Sequence, residues 1–149
     1  MEPERPHCIQ RHRLFLQCLQ NTGIIPILGQ FKKKITFCPL CKRIFYQHEE
    51  KETDVAISMK LIELFITQEC DIAVIMTGDT DLTPAVKLTQ KLFPYSLILF
   101  AFPAFRKNKI LQKLCPHSFE IKSKQYANHQ FPNPYILKNG KSIHKPESW

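Results

Sequence analysis

Asp71-Ile72-Ala73-Val74-Ile75-Met76-Thr77-Gly78-Asp79-Thr80-Asp81-Leu82-Thr83-Pro84-Ala85 is the stretch on which the fold turns. Ile72 to Met76 is an uninterrupted apolar run, as expected of a strand covered on both faces. Gly78 lets the chain bend sharply as it leaves that strand. Two aspartates, Asp79 and Asp81, then stand at the entrance to Leu82–Leu92, which reads as a helix. Pro84 suits its first turn, where a missing N–H costs nothing.

Upstream, residues 51–68 form the clearest helix. Val55, Met59, Ile62 and Ile66 fall at i, i+4, i+7 and i+11, a continuous apolar stripe. Residues 8–20 show much of the same spacing, and Asn21-Thr22-Gly23 ends it. Ile24 to Leu28 is a short β-rich run read as a strand. Phe31 to Gln47 reads as two hairpin arms with Cys38-Pro39-Leu40-Cys41 at the tip. Downstream, Ser96 to Phe102 is a second buried strand, Arg106 to Leu114 a short helix, and Phe119 to Ile121 a last strand. Strands alternating with helices imply an α/β fold, a parallel sheet with helices on its faces. Ligands of such sheets collect at the carboxyl ends of the strands, where the turn after Met76 lies. The tail from Phe131, with Pro132, Pro134 and Pro146, is expected to be extended and loosely held.

The chain has 149 residues, 44% of them hydrophobic, enough for one buried core. No run of 18 uncharged apolar residues exists, so no membrane span is expected. The charged start, MEPERPHCIQRHR, does not read as a secretory signal. Six cysteines without such a signal point to free thiols or metal ligands in a reducing cytoplasm. The formal charge is +8, gathered at Lys32–Lys34, Lys42-Arg43, Arg106–Lys109 and Lys122–Lys124. Clustered positive charge favours a polyanionic partner through counterion release; a solvated surface is the plainer explanation. Arg106, Lys107 and Lys109 follow a strand on the carboxyl edge and are the preferred phosphate contacts.

The sequence holds four aspartates, and a third of them, Asp54, opens the helix before the strand. If these element ends meet, three carboxylates converge and need a cation. Mg²⁺ or Mn²⁺ takes a few carboxylates plus waters, and such a metal can activate water against a phosphodiester. Taken singly, each residue has a structural reading as well: Asp81 and Thr83 as helix caps, Asp54 as a complement to the helix dipole.

Glu50-Lys51-Glu52-Thr53-Asp54-Val55-Ala56, followed by Asp71 to Ala85, resembles the NYN domain family of the PIN-like nuclease superfamily. Members show E-K-x-x-D-V-A at a helix start, then an apolar strand ending in S-G-D-x-D-[FL]-x-P. Thr77 takes the serine position. The likeness runs from about residue 10 to residue 145. It includes Arg13–Leu19, Gly29-Gln30-Phe31, and Ile143-His144-Lys145-Pro146 with Trp149. It implies a three-layer Rossmann-like sheet over residues 1–130 with a CxxC hairpin insert at about 31–48, and a tail over 131–149. It also implies divalent-metal ribonuclease activity on RNA. Asp54, Asp79 and Asp81 would be metal-side carboxylates, and Thr77 a polar group that either supports them from behind or binds the ligand.

The family also begins with a strand ending in D-G-x-N, whose aspartate joins the same metal site. No aspartate precedes Asp54, so the chain reads as N-terminally incomplete: a truncated or misassigned start, or a shortened relative with an exposed sheet edge. Two rival readings follow. A haloacid-dehalogenase-type phosphatase would need an upstream D-x-D pair, which is absent. A catalytically degenerate module would bind RNA or a protein and cleave nothing.

Cys38 and Cys41 have zinc-knuckle spacing but supply only two of the four ligands a Zn²⁺ site wants. His48, Cys115, His117, Cys8 and Cys18 are possible completions. The other readings are a tight hairpin tip with unligated thiols and, with the flanking lysines, a grip on RNA. His7, His12, His117, His129 and His144 lie in polar or terminal contexts and read as surface residues.

Overall fold

The computed structural model describes residues 8–147; His7 and Trp149 lie outside them. Helix α1 (Cys8–Asn21) is followed by strands β1 (Gln30–Phe37) and β2 (Ile44–Lys51). Next come α2 (Thr53–Ile66), β3 (Ile72–Ile75), a single 3-10 turn at Thr80–Leu82, α3 (Thr83–Leu92) and β4 (Leu97–Phe102). The chain ends with α4 (Lys109–Leu114), β5 (Phe119–Glu120), α5 (Ser123–Asn128), β6 (Tyr135–Ile136) and β7 (Ser142–Ile143). No helix among them is long and apolar enough to cross a membrane.

The chain divides into two compact units. One consists of Gly29–Lys32 and Glu49–Asn128. It holds a three-stranded parallel sheet in the order β3-β4-β5, flanked by helices. Each strand reaches the next through a helix, as parallel pairing demands. Ile72 pairs with Leu97 and Ile75 with Phe100, while Ala101 and Phe102 pair with Phe119 and Glu120. Leu61 and Phe65 of α2, Val86 of α3, Phe100 and Phe102 of β4, and Leu111 of α4 form its buried core. Each such side chain contributes roughly 1.5–3 kcal/mol by leaving water.

Two expectations about this unit are corrected. The α2 stripe is not the buried face: Val55, Met59 and Ile66 are 65%, 63% and 63% exposed, and Leu61 and Phe65 are buried instead. The helix carries a second apolar row, Ile57, Leu61, Leu64 and Phe65, at i, i+4, i+7 and i+8. Periodicity alone cannot choose between two such rows. Likewise β3 is covered on one face only. Ala73 is buried, whereas Ile72 and Val74 are exposed and the strand lies at the edge of its sheet.

The other unit is formed by the described residues of Met1–Leu28, Lys33–His48 and His129–Trp149. Here the expected strand at 24–28 is absent. The segment has no regular structure, and Ile24, Ile25, Ile27 and Leu28 are exposed. Pro26 removes an amide donor from its centre, which disfavours pairing. The segment expected to be an extended tail carries the antiparallel pair β6–β7. Tyr135 Oη accepts a hydrogen bond from Asn21 Nδ2 at 2.8 Å, and the Lys138 amide donates to Asn21 Oδ1 at 2.8 Å. Phe131 stacks edge-on against Phe15 and tilted against Tyr135.

Strands β1 and β2 pair as a two-stranded sheet, the expected hairpin. Gly29 at its foot is required by close approach: a Cβ there would lie 2.5 Å from Thr53 Oγ1.

Candidate active site

Strands β3 and β4 run parallel and side by side, so the segments leaving them emerge at one edge of the sheet. The segment after β3 is wound by its own side chains. Thr77 Oγ1 accepts from the Asp79 amide at 3.0 Å, and Asp79 Oδ1 accepts from the Asp81 amide at 3.0 Å. Asp79 thereby caps the 3-10 turn. Asp81 caps nothing. Its carboxylate makes no hydrogen bond or ion pair among the described residues, and both aspartates are exposed. Capping therefore accounts for Asp79 and leaves Asp81 without a structural task.

Gly78 has a different role from the bend expected of it. A Cβ at this position would lie 2.6 Å from the Arg106 carbonyl oxygen. Only glycine lets the loop after β4 come this close. Asn108 fastens the same two loops. Its Nδ2 donates to the Gly78 carbonyl at 3.1 Å, while its Oδ1 caps α4 by accepting from Ile110 (2.9 Å) and Leu111 (3.3 Å). From the end of β5, Glu120 Oε1 accepts from the Phe105 amide at 2.9 Å, at a residue with left-handed φ of 62°. The exits of all three strands are thus tied together. Arg106 and Lys107 sit exposed in the middle loop, and Lys109 opens α4.

Sequence reasoning missed Asn108 and Glu120. An asparagine just ahead of a helix is a capping signal and could have marked Asn108. Nothing local marks Glu120, whose partner lies 15 residues away.

Asp54 is exposed in the first turn of α2, a helix that packs against the 80–82 turn and α3. Among the described residues no group of three or more His, Cys, Asp or Glu is close enough to hold a metal ion. The expected three-carboxylate cluster is therefore not assembled. The carboxylates that share one turn are Asp79 and Asp81.

The hairpin tip shows the other donor pair. The Lys42 amide donates to the Cys38 carbonyl at 2.9 Å, and the Cys38 amide to the Arg43 carbonyl at 3.0 Å. Hydrogen bonds from the Cys41 amide, the Cys41 thiol and the Leu40 amide hold the Cys38 thiol below its ordinary range. That is an arrangement suited to a thiolate. No third ligand joins the pair among the described residues. Of the completions expected, Cys18 and Cys115 are buried, and burial raises both thiols.

The model of the NYN domain matches residues 7–122, most of the chain. The chain belongs to the NYN domain family. No curated protein and no solved structure is significantly similar to it. NYN is a branch of the PIN-like nucleases, so this NYN domain is of a hydrolase class whose members generally act on RNA and generally use divalent metals. The residues present fit such an ion in donor type. Carboxylate oxygens suit Mg²⁺ and Mn²⁺, and Mg²⁺ is commonly held by one or two carboxylates with waters and substrate phosphate.

Proposed function

We propose that this NYN domain is a ribonuclease that hydrolyses RNA phosphodiesters with Mg²⁺ or Mn²⁺ at the carboxyl edge of its sheet. The observation that carries the reading is the Asp81 carboxylate, left without a structural partner in a turn fixed by Thr77, Asp79 and Asn108.

In this reading Asp79 and Asp81 hold the cation. The Asp79 oxygen not engaged with the Asp81 amide would be the one left for it. When bound, such a cation would supply positive charge to the phosphodiester and to an attacking water. Asp54 adds negative charge from the first turn of α2. Thr77 is a positioning residue that acts through Asp79. Arg106, Lys107 and Lys109 contact phosphate oxygens and set the strand in register. Cys38 and Cys41 are two of four donors to a Zn²⁺, with the rest supplied from outside the pair. The free state of all six cysteines supports a reducing, cytoplasmic setting.

A second reading keeps RNA binding and drops cleavage, and the missing three-carboxylate group favours it. Incubating the purified protein with single-stranded RNA and Mn²⁺ separates the two. Cleavage that stops on adding chelator supports the nuclease. Salt-sensitive binding with intact RNA supports the binding module.

A further inference from the structure

Helices α3 and α4 both start at the sheet's carboxyl edge, and an open groove of about 530 Å³ lies against them. Thr83, Lys87, Lys109, Ile110, Lys113 and Leu114 line it. The residues fall in two tiers one helical turn apart: Thr83, Lys109 and Ile110 at the helix starts, then Lys87, Lys113 and Leu114. No carboxylate is among them, and all three lysines are exposed and without an ion pair among the described residues. The lysine stems and the two aliphatic residues give the floor, and three ammonium groups give the charge. Thr83 Oγ1, at the first tier, is buried and finds no hydrogen-bond partner.

The groove begins close along the chain to the acidic turn. Thr83 lies two residues beyond Asp81, and Lys109 follows Asn108, whose amide is bound to the Gly78 carbonyl. We propose that this groove is a phosphate track: an RNA strand leaving Asp79 and Asp81 passes between α3 and α4 with its phosphates against Lys109, Lys87 and Lys113. The proposal rests on the ribonuclease reading and adds Lys87 and Lys113, which that reading does not use. A cationic groove on its own would fit an acidic peptide too. Its nearness to carboxylates that would hold a cation against a scissile phosphate favours the phosphodiester chain, the substrate of the ribonuclease reading.

The test is fluorescence anisotropy of a labelled oligouridylate, in chelator so that nothing is hydrolysed, across a salt series. Lys87→Gln/Lys113→Gln is compared with Lys122→Gln/Lys124→Gln, which removes two lysines outside the groove. The groove variant is expected to bind roughly tenfold more weakly, with a log–log salt slope shallower by about 0.7 for each lysine removed. The control pair should stay within about twofold of the parent. Thermal melts check that each variant is folded. Parent-like affinity and slope in the groove variant, or equal losses in both pairs, overturn the track while leaving the ribonuclease reading intact. No measurable affinity in the parent protein overturns that reading and the track with it.

Discussion

The aspartate turn after β3 and the cysteine knuckle between β1 and β2 are both short donor pairs in a tight bend, yet the fold treats them differently. The aspartate turn is held from three strands: by Thr77 within it, by the Arg106 backbone pressed against Gly78, and by Asn108 and Glu120 across the loops. The knuckle is held by its own hairpin bonds, with Leu40 at its tip 93% exposed. A pair fixed by distant parts of the fold is preorganised, which chemistry requires. A pair fixed by local bonds owes its shape to its own turn rather than to the rest of the sheet.

Breaking the first pair should have the largest effect. Asp79→Asn keeps the cap, because asparagine caps as well as aspartate, but removes the charge. Mn²⁺-dependent RNA cleavage should fall by about 100-fold, with the melting temperature little changed. An unaltered rate would show that Asp79 does nothing beyond capping. Gly78→Ala strikes the support rather than the donor. Its Cβ would meet the Arg106 carbonyl, so denaturant unfolding should reveal a loss of about 1–3 kcal/mol. Asn108→Ala removes the cap of α4 and the tie to Gly78, with an expected loss of about 1 kcal/mol or somewhat more. Were it stability-neutral, the stitched edge would be an overstatement.

The knuckle should be nearly silent by the same measures. Cys38→Ser/Cys41→Ser in chelator should stay within about 0.5 kcal/mol of the parent, as for surface changes. Its signature is chemical. The thiol of Cys38 is lowered by the bonds it accepts, so it keeps thiolate as pH falls, and its alkylation should persist to the lowest pH. Cys18 and Cys115, raised by burial, should react last and need the highest pH. Mass-spectrometric mapping of alkylation sites reads this order directly.

These contrasts also mark how far the sequence could be read. The Gly-Asp-x-Asp turn was legible because strand, glycine, carboxylates and Pro84 are contiguous. The strand and helix assignments around it, from α2 to β5, were legible for the same reason: strong local periodicity. Three things were not. Ile24 to Leu28 has strand composition, but a strand needs a partner and Pro26 weakens its claim to one. The α2 helix has two apolar rows, and which one is buried depends on what packs there. The reason for Gly78 and the bond from Glu120 are tertiary facts, set by a loop almost 30 residues on and by the next strand. How Asp54 stands to Asp79 and Asp81 was not legible for a related reason. Sequence places Asp54 at a helix start but does not say how near that start comes to the turn.

The most direct test of the account is the rate of Mn²⁺-dependent cleavage of single-stranded RNA by Asp81→Asn beside the parent protein, with thermal melts of both. The account predicts cleavage by the parent that chelator stops, loss of about 100-fold in the variant, and melting curves that superimpose, because the Asp81 side chain makes no bond among the described residues. Cleavage at the parent rate by a folded Asp81→Asn variant would contradict it.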